Sequence, residues 1–306
     1  MLNPSELFRF EADGDLADLV PGPLLVALGG FIDAGTIQAL LTSHLLDHSE
    51  ATVVASFDVD QVLDYRGRRP AMVFEETRYA SYEDPSLLLY RLTDRDGATY
   101  YLLTGPEPDY QWERMVEAIR LLQRRLGVRL TVTAHGIPMA VPHTRPIGLT
   151  AHATDVNLIG ERNPVFGRVQ LPGSFTALLE LRLGEAGEAM VGYAVHVPHY
   201  LAQAEFHDGA LTALNAIVDV TGLNLPNDAL IAAANEGRLR LEAEIAGNAE
   251  VGTAVAALER QYDAFVEAAD KPNLLAPPSA PLPSGEELAA DFEQFLRTVG
   301  EDETPG

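Results

Sequence analysis

The chain has 306 residues, 47% of them hydrophobic and 22% charged, with 21 basic against 45 acidic residues for a formal charge of -24. That length suits one large α/β domain, or one domain with an appendage, and that charge repels nucleic-acid phosphates and anionic lipid, so neither is an expected partner. Cysteine is absent, which removes disulfides, thiolate metal sites and thiol nucleophiles and fits a cytoplasmic protein.

The opening stretch MLNPSELFRFEADGDL has no basic region followed by an apolar one, so no leader is read there. Leu24 to Leu28 is an apolar run between PGP and GG, the pattern of a strand buried on both faces. Thr36 to Leu46 places Ile37, Leu40, Leu41 and Leu45 on one helix face, and Ala51 to Phe57 returns to β-branched residues. These predict a β-α-β unit with parallel strands and a right-handed crossover.

SLLLYRLTDRDGATYYLLTG predicts two strands about a turn at Asp94 to Gly97, because Asp-Gly accepts the positive φ of a hairpin. Asp109 to Leu126 reads as a helix capped by Asp109 and stopped by Gly127, and Val128 to Ala134 as the next strand. Leu171 to Gly187 gives a helix with Ser174 as cap, Ala189 to Val195 a strand, and Asp208 to Val220 a helix ended by Gly222.

The alternation predicts a three-layer α/β/α core with a mixed, largely parallel sheet over residues 1–225. Residues 226–270 carry two helical patterns broken near Gly247 and Asn248, an αα-hairpin appendage. Residues 271–306 read as a proline-rich linker, a short amphipathic helix with Leu288, Phe292, Phe295 and Leu296 on one side, and a disordered tail.

Ligands of open α/β sheets sit beyond the carboxyl ends of the strands. Four loops qualify: Gly29 to Gly35, Thr104 to Asp109, His135 to His152 and His196 to His207. If their strands are parallel, all four lie along one edge. GGFIDAG has neither the dinucleotide spacing of glycines nor the ending of a P-loop. Gly29, Gly30 and Gly35 at a helix entrance can still offer backbone N–H groups to an anion. The plainer and favoured reading is a sharp strand exit with Asp33 capping the helix.

Six of the eight histidines, His135, His143, His152, His196, His199 and His207, fall in the last two loops together with Arg145. Their gaps lack compact metal-ligand spacing, so neither a metal nor a cofactor is expected. Acid-base work by one imidazole is the better chemical use, against the simpler reading of loop-filling histidines bonded to backbone. Pro138, Pro142 and Pro146 mark a shaped loop that is neither helix nor central strand. No G-x-S-x-G elbow is present, which removes the usual hydrolase signature.

Three stretches, LLVALGGFIDAG, HGIPMAVPHTRP and GYAVHVPHYLAQAE, resemble in order and spacing the proteasome assembly chaperone 2 family in its longer actinobacterial form. The matching positions are Gly29, Gly30, Asp33, Gly35, Gly136, Pro138, His143, Thr144, Arg145, Pro146, Pro198, His199 and Tyr200. The resemblance implies a fold like that of nucleoside phosphorylases and hydrolases, self-association, and no established catalytic set. For eukaryotic and archaeal relatives it implies non-enzymatic assembly of the proteasome α ring. Relatives that dock on proteasome pockets carry a C-terminal hydrophobic-tyrosine-any motif, and this sequence departs from it with Glu303-Thr304-Pro305-Gly306.

The favoured expectation is a non-enzymatic binding or assembly protein acting as a homo-oligomer, with a trimer suggested by the fold resemblance and proteasome α subunits as clients. The alternative is a small-ligand protein or an enzyme of phosphorylase/hydrolase-like type. Its pocket would take Gly29, Gly30, Asp33, Gly35, His143, Arg145 and His199, with Arg145 holding an anion.

Overall fold

The computed structural model describes residues 2–11, 20–30, 32–160 and 167–269. Its strands are β1 (Phe8–Phe10), β2 (Leu24–Gly29), β3 (Ala51–Phe57), β4 (Met72–Glu75), β5 (Arg78–Tyr82), β6 (Leu88–Thr93), β7 (Thr99–Pro106), β8 (Leu130–Met139), β9 (Leu149–Ala153) and β10 (Ala189–Pro198). The helices are α1 (Ile37–His48), α2 (Trp112–Leu126), α3 (Phe175–Glu185), α4 (His207–Thr221), α5 (Asp228–Ala246) and α6 (Ala249–Ala269). The linker, amphipathic helix and tail expected over 271–306 lie outside the described residues.

Eight strands form one mixed sheet in the order β1-β3-β6-β7-β2-β8-β10-β9. β7, β2, β8 and β10 are mutually parallel neighbours, while β6 and β9 run against them. β3 is antiparallel to β6 and therefore runs with β2. The strands of the expected β-α-β unit thus run in the same direction, without being neighbours in the sheet. The tight β6-β7 hairpin, with Gly97 at φ 84° in its turn, occupies the space between β2 and β3.

β2 shows why its sequence is apolar without alternation: it is buried on both sides. Leu24, Val26 and Leu28 pack with Tyr101 and Leu103 beneath α2 and α3, through Met115, Ile119, Phe175 and Leu179. Leu25 joins Leu102, Val132, Val191 and Val195 beneath α1 and α4, through Ile37, Leu41, Ala210 and Leu214. Leu230 and Ala234 of α5 are buried in that second layer. Ser174 caps α3 by accepting the Ala177 N–H at 3.2 Å, and Gly127 and Gly222 end α2 and α4 in the left-handed region.

Other expectations need correction. α2 begins at Trp112 behind a left-handed Gln111, and Asp109 instead accepts the Asp64 N–H at 2.7 Å. The expected cap is recruited by a loop 45 residues away. Pro138 lies inside β8, in the middle of the sheet. β2 stops pairing with β8 at Thr133, and the Gly136 N–H on that side turns to Asp33. Pro138 shares that orientation, so its missing N–H faces no strand. β4 and β5 make a separate two-stranded hairpin, exposed at every position, and β9 adds an edge strand within a segment read as loop.

The chain divides into two compact units, Met1–Tyr262 and Asp263–Gly306. The first holds the sheet, α1 to α5 and α6 as far as Tyr262; of the second only the last turns of α6 are described.

Candidate functional site

Because β2, β7, β8 and β10 are parallel, their carboxyl ends at Gly29, Pro106, Met139 and Pro198 share one edge. The four chosen loops leave from there. His135, His152 and His196, however, sit within β8, β9 and β10 and not in those loops. Their strands continue further than the apolar patterns because β10 supplies ladder partners through Pro198.

The turn between β2 and α1 is closed by its own carboxylate. Asp33 accepts the Gln38 N–H at 3.0 Å and 2.9 Å on its two oxygens, and the Gly136 N–H at 3.3 Å. Burial pushes its acid strength down, raising its pKa, and the hydrogen bonds from Gln38 and Gly136 pull the other way. Asp33 therefore takes the position at the start of α1 where a bound anion would meet the free amides.

Gly35, at φ 68°, joins this turn to the segment after β10. Its N–H donates to Ala202 O at 2.9 Å, and the Phe206 N–H donates to Gly35 O at 3.0 Å. Gly30 lies against the buried Glu107: a Cβ there would fall 2.7 Å from Glu107 Oε2. Glu107 in turn accepts the Phe175 N–H at 2.5 Å at the start of α3, and its backbone carbonyl accepts from Arg68 at 2.9 Å. Gly29 ends β2 in the open, its nearest neighbour being Gly105 O at 3.8 Å from an ideal Cβ.

His143 sits against Tyr200. The His143 backbone N–H donates to the phenol oxygen at 2.9 Å, which leaves the phenol hydrogen for Nδ1 at 2.7 Å. Burial lowers the His143 pKa, so the ring is neutral with its proton on Nε2. His143 lines a cleft of about 340 Å³ with Phe206, His207, Asp208, Arg238 and Leu241. Asp208, its pKa raised by burial, pairs with Arg238 of α5 at 3.2 Å.

Arg145 and Thr144 reach α6, where Glu259 Oε1 lies 3.2 Å from Arg145 Nη1 and 2.5 Å from Thr144 Oγ1. The anion that Arg145 holds here is a carboxylate of the same chain. His199 is exposed and meets Tyr200 edge to face at 5.4 Å.

Of the seven candidate residues on this edge, His143 lines the cleft described, and Asp33, Arg145 and His199 are not in its wall. The sequence reading missed Glu107, Asp208 and Glu259. Glu107 lies in a loop that was singled out, but nothing local marks a glutamate as buried. Glu259 is 114 residues from Arg145, beyond any pattern of spacing. Among the described residues no group of three histidine, aspartate or glutamate side chains is placed to hold a metal ion, and no helix is long and apolar enough to cross a membrane.

The profile of the PAC2 family matches residues 27–245. No curated protein matches. The chain is similar to the Mycobacterium tuberculosis protein of unknown function Rv2714, at 41% identity and a TM-score of 0.81, over 88% of this chain and 94% of that one. A Corynebacterium glutamicum protein of unknown function matches at 34% identity and a TM-score of 0.79, over 86% and 99%. The Mycobacterium tuberculosis proteasome-assembly chaperone homologue Rv2125 shares the fold, at 20% identity and a TM-score of 0.70, over 76% and 99%.

Proposed function

The chain belongs to the PAC2 family, and from that premise we propose that it is a binding and assembly protein working as a homo-oligomer. Proteasome α subunits are the client class to test, since a structural neighbour is named a proteasome-assembly chaperone homologue. The helices beyond residue 225 form its appendage.

The observation that carries the reading is the hairpin β4-β5. Met72, Val73, Phe74, Tyr79 and Tyr82 are all 45% exposed or more, with the Phe74 and Tyr79 rings edge to face at 5.1 Å. A lone two-stranded hairpin is marginal in water, and clustered exposed aromatics mark a contact surface. A second copy of the chain is the partner that makes such an arm stable.

Light scattering after size exclusion tests the oligomer. The wild type is expected as a trimer, and a variant with Phe74→Ser and Tyr79→Ser as a monomer of unchanged circular dichroism. A monomeric wild type overturns the self-association. Crosslinked purification of the tagged protein from its native cells tests the client: absence of proteasome α subunits from the wild-type eluate removes them.

A second reading rests on the cleft that His143 lines, which is large enough for a small ligand. A thermal-shift screen of nucleosides, sugar phosphates and carboxylates tests it. A shift lost in His143→Ala supports binding there, and no shift with any compound removes the reading.

A further inference from the structure

The face of the sheet beneath α3 carries a cluster that the assembly reading leaves unused. In register, Thr133 of β8 and His152 of β9 flank Gly192 of β10, and the next pair places His135 beside Ala194. Side chains in register share a face, so His135 and His152 lie on the same side of β10. Gly192 is what seats the His152 ring: a Cβ there would fall 2.0 Å from His152 Cε1. Glu180 of α3 then meets His152 Nδ1 at 2.7 Å.

That pair has a defined polarity. A carboxylate can only accept, so Nδ1 carries a proton, and the neutral form of the ring keeps its lone pair on Nε2. The His152 side chain is 40% exposed and Glu180 only 17%, so the ring is reachable while its orienting partner is held. His135 is held neutral to about pH 4 by burial and by the nearby His152 ring. Its ring makes no hydrogen bond to the described residues, leaving an N–H free for an incoming oxygen. His196 on the same face is occupied by Thr150 at 2.9 Å.

We propose that His152, oriented by Glu180, is a general base for water attack on small neutral esters, with His135 donating a hydrogen bond to the carbonyl oxygen. Water adds to the carbonyl carbon while its proton passes to His152 Nε2. The tetrahedral intermediate then expels the alcohol oxygen, which takes that proton back, giving one acid and one alcohol. Glu180 and the net charge of -24 disfavour anionic substrates, which sets the neutral class. His152 and His135 touch the substrate; Glu180 is a positioning residue. The site lies on the opposite face of the sheet from the His143 cleft.

The probe is p-nitrophenyl acetate with the full chain. The wild type is expected to exceed free imidazole at equal concentration and pH. His152→Gln should lower kcat/KM about a hundredfold, the usual scale of general-base catalysis. His48→Gln, on the exposed surface of α1, should leave it unchanged. Glu180→Gln should move the pH profile of kcat/KM as well as its height, which loss of packing alone would not do. If His152→Gln proves unfolded, the ring nitrogen shifts of His152 in wild-type protein decide: an Nδ1–H tautomer supports the proposal and an Nε2–H tautomer overturns it. Wild-type turnover no faster than imidazole, or full activity in folded His152→Gln, also overturns it.

Discussion

Gly35 and Phe206 hold two loops of the carboxyl edge together. The Phe206 N–H donates to Gly35 O at 3.0 Å, and a Cβ on Gly35 would come within 2.8 Å of Phe206 Cβ. The turn after β2 and the entry to α4 are therefore one packed unit, with the wall of the His143 cleft built on it.

Gly35→Ala should cost about 2 to 4 kcal/mol, from a left-handed φ that alanine resists and from overpacking against Phe206. Urea denaturation measures it. A cost under about 0.5 kcal/mol would mean that the two loops separate readily.

Asp33→Ala should cost about 1 to 2 kcal/mol, because the amides of Gln38 and Gly136 lose their acceptor. Asp33→Asn keeps an acceptor and should cost less at pH 7. The folded Asp33 pKa is raised, so the folded chain takes up this proton first as pH falls. Wild type should thus gain on Asp33→Asn as pH drops through that raised value toward the unfolded value of about 3.9. Paired melts from pH 7 to pH 4 check the sign.

His135 gives a dependence of the opposite sense. Its folded pKa of about 4 lies below the unfolded value of about 6.5. Between the two the unfolded chain binds the proton and the native one does not. Stability is fully present above pH 6.5 and is lost toward pH 4, by up to about 3 kcal/mol in the limit. His135→Gln, which does not titrate, should lose less over that window. Parallel slopes for the two proteins would show His135 to be solvated.

Glu259→Ala removes the acceptor shared by Thr144 and Arg145. Both partners are partly exposed, so the global cost should stay within about 1 kcal/mol. Amide exchange in Ala249 to Tyr262 should nevertheless rise several-fold, since Val255 is the one α6 residue buried among those described. Unchanged exchange would show that this ion pair does not fasten α6.

Local chemistry was legible and distant recruitment was not. The Asp94 to Gly97 turn could be read because its bonds are local, with the Ala98 N–H on Asp94 Oδ1 at 2.7 Å. The same carboxylate also accepts the Asn224 N–H at 2.7 Å from 130 residues away, and nothing near Asp94 announces that. The β4-β5 hairpin escaped because its turn puts Glu76 at φ 51° without glycine or asparagine to signal it. β9 escaped because five residues among prolines and histidines carry too short a pattern.

The sequence by itself determined the alternation of strands and helices, the caps at Ser174, Gly127 and Gly222, and which loops leave the strands. Each is set by side chains within one or two turns of chain, where periodicity and φ preference act. Only the tertiary structure decided that β6 and β7 separate β3 from β2, that Glu107 is buried against Gly30, that Glu259 occupies Arg145, and that Gly192 seats His152 beside His135. Those choices come from strand pairing and packing between distant segments, which must satisfy the whole sheet at once and leave no trace in local spacing.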